Sequence, residues 1–74
     1  MEIKTLKDLR QRASKLLTYM DGYYDDEIMY GRITLARKLL SEIYKQDIPL
    51  NVKIDLAQKL INMTAYSKDD IFDL

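Results

Sequence analysis

Neither cysteine nor histidine occurs among the 74 residues, and that double absence limits how the chain can hold itself together. Small domains commonly make up for a thin core with disulfides or a structural metal. Here no disulfide can form, and the commonest zinc ligands are missing, so no metal or cofactor is expected. What remains is close packing of the chain on itself, or association with another chain. A domain of this length buries only about 60–65% of its unfolded surface. Its hydrophobic residues, 47% of the total, therefore have to be used efficiently. The length allows one domain over 1–74 and no second core.

The hydrophobic spacing is helical throughout, and nothing alternates with the period of a strand. Leu6, Leu9, Ala13, Leu16, Leu17 and Met20 form one stripe. Thr5-Leu6-Lys7-Asp8 precedes it as a capping box, with Asp8 in the usual place of Glu or Gln. Gly22 is expected to supply the left-handed residue that ends a helix over 6–21. Asp25 and Asp26 then suit an N-cap, which predicts a second helix over 26–46. Its apolar set is Ile28, Met29, Ile33, Leu35, Ala36, Leu39, Leu40, Ile43 and Tyr44. Gly31 inside it costs about 1 kcal/mol relative to Ala, which suggests a close crossing or a kink.

Asp47-Ile48-Pro49 restarts the chain, because Pro suits a first helical turn. A third helix over 50–64 carries Leu50, Val52, Ile54, Leu56, Ala57, Leu60, Ile61 and Met63. With Leu56 placed in the core, Leu56→Asp is expected to unfold the domain. Ser67-Lys68-Asp69-Asp70 reads as the start of a short fourth helix over 69–74 that lays down Ile71, Phe72 and Leu74. The expected fold class is all-α, a small antiparallel three- to four-helix bundle. The apolar arcs of the second and third helices are wider than one small bundle needs, so a homodimer is expected.

Charge narrows the function classes. Twelve basic residues balance twelve acidic ones, and basic helices alternate with acidic connections. A nucleic-acid binder normally carries a dominant basic charge. The stretch from Ala57 to Ile71 is too long for a helix-turn-helix, and Asp69, Asp70 and Asp73 would repel phosphates. The alternative reading of that class would use the basic faces Arg10, Arg12 and Lys15, or Arg32, Arg37 and Lys38. An enzyme is not expected either. Without His or Cys the common nucleophile–base pairs cannot form, and the two glycines make no phosphate-binding loop. No apolar run approaches the roughly 20 residues of a membrane span, and no signal-peptide pattern opens the chain. The expected location is the cytoplasm.

Aromatic and acidic residues cluster at the first connection. Tyr19, Tyr23, Tyr24 and Tyr30 interleave with Asp21, Asp25, Asp26 and Glu27. Tyrosine gives large rigid contact area with a polar tip, and acids favour a partner with a basic surface. The candidate partner-binding residues are therefore Tyr19, Tyr23, Tyr24, Asp25, Asp26 and Tyr30. The competing reading makes these rings a lid on the bundle, with the acids as helix caps.

Three segments, Leu35-Ala36-Arg37-Lys38-Leu39-Leu40, Asp47-Ile48-Pro49-Leu50 and Ile54 through Ala65, give the chain a further character. In them it resembles the immunity proteins that protect lactic-acid bacteria from pediocin-like bacteriocins, the enterocin A immunity type. The resemblance covers about half the chain and includes no specific motif. It implies an antiparallel four-helix bundle that acts by binding protein. Members usually carry a longer C-terminal segment that sets specificity, and no functional residue transfers to this sequence.

Overall fold

The computed structural model describes residues 2–74, and its first helix begins where the capping box places it. α1 spans Leu6–Tyr24. Thr5 Oγ1 accepts from the Asp8 N–H at 3.1 Å, and Asp8 Oδ2 accepts from the N–H groups of Lys4 and Thr5, each at 3.1 Å. These bonds, the one from Lys4 foremost, hold the Asp8 carboxyl below its ordinary value of 3.8. Two orphan N-terminal donors are thereby satisfied by a side chain one methylene shorter than usual.

α1 ends differently from the expectation. Gly22 stays helical, and Asp25 takes the left-handed conformation instead, with φ 50°. Aspartate tolerates that region because its short polar side chain can bond locally. The helix therefore gains a turn that carries Tyr23 and Tyr24. Asp26 follows at once as the N-cap of α2, Glu27–Lys45, accepting from the Met29 N–H at 2.6 Å. A two-residue hinge leaves α2 no choice but to fold back along α1.

α3, Leu50–Thr64, begins after Pro49, whose carbonyl accepts from the N–H groups of Val52 and Lys53. It runs back along α2. Lys53 near its start donates to the carbonyl of Tyr44 at 2.9 Å, and Arg32 near the start of α2 reaches the carbonyls of Met63, Thr64 and Ala65. The helices are thus antiparallel in sequence order, and α2 with α3 is the most extensive pair. No strand occurs among the described residues.

The core lies on the inner stripes. Leu9, Ala13, Leu17 and Met20 come from α1, Met29, Ile33, Ala36 and Leu40 from α2, and Ala57 and Ile61 from α3. Full burial of a side chain such as Leu17 or Ile61 stabilises by about 1.5–3 kcal/mol. Leu56 is not among them. It is 37% exposed, because the stripe Ala57–Ile61–Thr64 faces inward and Leu56 lies well round the helix from it. The expectation that Leu56→Asp unfolds the domain is withdrawn on that ground. Gly31 marks no close crossing, since a Cβ built there would meet nothing within 4 Å.

No fourth helix forms. Ser67–Asp70 make a turn closed by the Asp70 N–H on the Ser67 carbonyl, and residues 71–74 follow without regular structure. Six residues are too few to repay helix nucleation, and another group supplies the hydrogen bonds. Gln58 on α3 donates Nε2 to the Phe72 carbonyl at 2.7 Å, and its Oε1 accepts from the Leu74 N–H at 2.8 Å. Phe72 enters the core at 5% exposure and Leu74 packs on its edge, while Ile71 points outward at 75%.

Candidate protein-contact surfaces

The tyrosine–acid end is built from the last turn of α1, the cap of α2 and the C-terminal tail. Tyr24, half-buried, donates its hydroxyl to Asp70 Oδ2 at 2.6 Å and accepts from the Tyr66 N–H at 3.4 Å. Burial, and then the Asp70 carboxylate, push its phenol up to about 12. Tyr66 donates to Asp26 Oδ1 at 2.6 Å. That bond, with the Met29 N–H, holds the Asp26 carboxyl below its ordinary value. The rings of Tyr19, Tyr23 and Tyr24 surround Phe72 with centroids 6.0, 5.6 and 5.9 Å away. Aromatic pairs at such separations add to the gain from burial. The tail is thus clasped by two phenol–carboxylate bonds and a collar of rings.

Of the candidate residues, Tyr24 and Asp26 are committed to this clasp. Tyr19 and Tyr23 lean on Phe72 yet remain 60% and 57% exposed. Tyr30 stands apart from the collar. It is 65% exposed and borders a shallow hollow with Asp21, Asp25, Asp26 and Glu27. Asp25 is an exposed carboxylate on the hinge. The structure therefore brings together Tyr19, Tyr23 and Tyr24 around the tail, and sets Tyr30 with the acids.

Sequence reasoning missed the residues that complete the clasp. Arg32 donates through Nε and Nη2 to the last carbonyls of α3 at 2.9 Å and lies 5.2 Å from the Tyr66 ring centroid. A cation there answers the negative end of the helix. Gln58 and Tyr66 were legible only as a polar and an aromatic residue, because their partners are distant in the chain, whereas Phe72 packs inward as expected, though from a tail that is not helical.

The second surface lies on the outer sides of α2 and α3. Ile28, Leu35 and Leu39 on α2, with Val52, Leu56 and Met63 on α3, are each 37–74% exposed. Leu35, Leu39, Leu60 and Met63 line one groove between the helices. Helical spacing sets Ile28 on the same stripe as Leu35 and Leu39, and Val52 and Leu56 on that of Leu60 and Met63. The result is one apolar face bridging two helices, with several hundred Å² exposed. That is on the order of the ~300–600 Å² of the largest apolar patch on an ordinary monomer, a patch that is often functional.

A third feature is a cleft between α1 and α2, floored by Leu17 and Leu40 and lined by Arg10, Ser14, Arg37, Ser41 and Tyr44. Arg37 donates to Ser14 Oγ at 3.1 Å and to Thr18 Oγ1 at 3.0 Å, and Arg10 lies 5.6 Å from the Tyr44 ring centroid. Burial raises the Tyr44 phenol against the pull of both guanidinium groups. Among the described residues no cluster of side chains could hold a metal ion, and no helix is long and apolar enough to cross a membrane. No protein-family model, curated protein or solved structure matches this chain.

Proposed function

We propose that this protein works by binding another protein, as an immunity, inhibitor or regulatory factor, and carries out no catalysis. The observation that carries the reading is the apolar face shared by α2 and α3. Six large apolar side chains are exposed there, Ile28, Leu35 and Met63 by more than half of their surface, and contiguous surfaces of this kind mark association sites. The chemistry that fits is the apolar side of a partner helix laid along the groove. Ile28 at one end follows the acids Asp26 and Glu27, which favours a basic border on that partner. An immunity role, as the resemblance to the pediocin-type immunity proteins implies, falls within this reading.

The test is to compare what tagged variants retain. The wild-type chain should hold a partner that Leu35→Glu and Met63→Glu release, while Tyr23→Ala and Asp25→Asn keep it. Release by the Tyr23 and Asp25 changes alone would move the contact to the tyrosine–acid end and overturn the reading. A second reading has one observation in its favour. Arg10 and Arg37, from separate helices, line one cleft, and among the described residues no carboxylate pairs with either at salt-bridge distance. Such a pair would suit a phosphate of a nucleic acid. Binding to random DNA that weakens steeply with added salt would support it; no affinity at low salt removes it.

A further inference from the structure

We infer that the partner seated on the α2/α3 face is a second copy of this chain, with its α3 antiparallel to the first. The inference rests on the reading above and names its occupant. Three observations lead to it: the size of the face, the disposition of the chain's own tail, and the order of charges along the edge of α3.

A standard interface takes about 800 Å² from each partner. Ile28, Leu35, Leu39, Val52, Leu56 and Met63, each 37–74% exposed, are the apolar centre such an interface needs, and the charged side chains at their border form its rim. The tail does not cover them. Phe72 and Leu74 are tied to Gln58, which lies on the side of α3 away from the Val52–Leu56–Met63 stripe. The face thus has no occupant within the chain.

The charges then select a partner. Asp55 and Lys59 pair at 3.0 Å along α3, with both side chains well exposed. Helical spacing sets both on the same edge of the apolar stripe. A two-fold interface makes every contact twice, residue against residue in exchange. Two α3 helices crossing antiparallel about the Leu56–Ala57 region set Asp55 of each beside Lys59 of the other, and Val52 opposite Met63. In a parallel two-fold pair the equivalent edges fall on opposite sides of the interface, so Asp55 and Lys59 would meet neither each other nor their own counterparts across it. The edge is complementary to its own reverse, as a self-association surface must be. An antiparallel register centred on Asp55 or on Lys59 would set like charges together, and such pairs act against the wrong register.

Sedimentation equilibrium on the full chain, from micromolar to submillimolar concentration, tests this. The expected result is a reversible dimer with twice the chain mass. Leu35→Glu should leave a monomer that still melts cooperatively. Lys59→Glu should weaken the dimer at least about tenfold, and exchanging the two charges, as Asp55→Lys with Lys59→Asp, should restore it. A wild-type monomer at submillimolar concentration overturns the inference, as does a dimer indifferent to Lys59→Glu. If a monomeric chain still loses a different retained protein on Leu35→Glu, the occupant is wrong and the contact surface stands. If Leu35→Glu changes neither mass nor retention, both are wrong.

Discussion

The tyrosine–acid end and the α2/α3 face both expose large side chains, yet they differ in what those side chains already do. At the end, Tyr24 and Tyr66 place their hydroxyls on Asp70 and Asp26, and Tyr19 and Tyr23 rest their rings on Phe72. On the face, Leu35 and Met63 are 58% and 74% exposed and carry no polar tip to be satisfied by water. Fractional exposure is similar in the two regions. What separates them is that the first closes the chain on itself, whereas the second leaves aliphatic surface in solvent. Apolar surface is common on any folded protein, and it is a large contiguous patch of it that is informative.

The largest expected difference pits two positions of one helix against each other. Ile61→Asp places a charge in a fully buried site on α3 and should abolish cooperative melting. Leu56→Asp, five residues earlier, should leave a folded protein and act on association instead. Thermal melts followed by circular dichroism check both, and an unfolded Leu56→Asp chain would return that side chain to the core.

Next in size is the tail. Phe72→Ala removes a buried ring and should cost about 3–5 kcal/mol, read from denaturant unfolding, with the α2/α3 contact intact. Tyr24→Phe removes only the hydroxyl and should cost about 1–2 kcal/mol. The clasp also has a pH signature. The Tyr24 phenol is raised from 10.0 to about 12 in the folded chain, so its contribution is complete below pH 10 and is lost as the pH climbs through 12. Asp26 behaves oppositely. Its carboxyl is depressed below 3.8, so that contribution holds above this value and fades as acid titrates the folded group. Unfolding measured against pH should show both limbs, and Tyr24→Phe should flatten the part of the alkaline one that Tyr24 contributes.

The smallest effect concerns backbone freedom. Gly31 sits in mid-helix, has no positive φ, and has open space beside it. Gly31→Ala should therefore stabilise by about 0.5–1 kcal/mol. A loss of stability would mean that a close neighbour occupies that space in solution.

Local signals carried most of the fold and little of the surfaces. The Thr5–Asp8 box, the Asp26 cap and the Pro49 restart each lie within a few residues of what they bond, so three helices could be placed from spacing alone. Gly22 misled because an αL residue need not be glycine, and Asp25 met the same demand three positions later. The tail misled because Asp69 and Asp70 do look like a helix start. Its true partners, Gln58 and Tyr24, lie 14 and 46 residues away in sequence from the groups they bind. For the candidate site, the tyrosines did prove to share one end of the bundle. That Tyr24 and Asp26 serve the tail while Tyr30 stands apart depends on tertiary contacts that no spacing rule supplies. The double apolar stripe of α2 was visible as an arc of excessive width. Which half of it faces outward followed only from the docking of α1 and α3.

The most direct test of the central claim is the melting temperature as a function of protein concentration. Association that stabilises only the folded state raises that temperature with concentration. For the wild-type chain it should climb, and Leu35→Glu should remove the dependence while leaving the dilute value nearly unchanged. Tyr24→Phe should lower the whole curve and preserve its slope. A wild-type curve that is flat with concentration, or a slope lost on Tyr24→Phe and kept on Leu35→Glu, would contradict the assignment of the α2/α3 face as the surface where two copies meet.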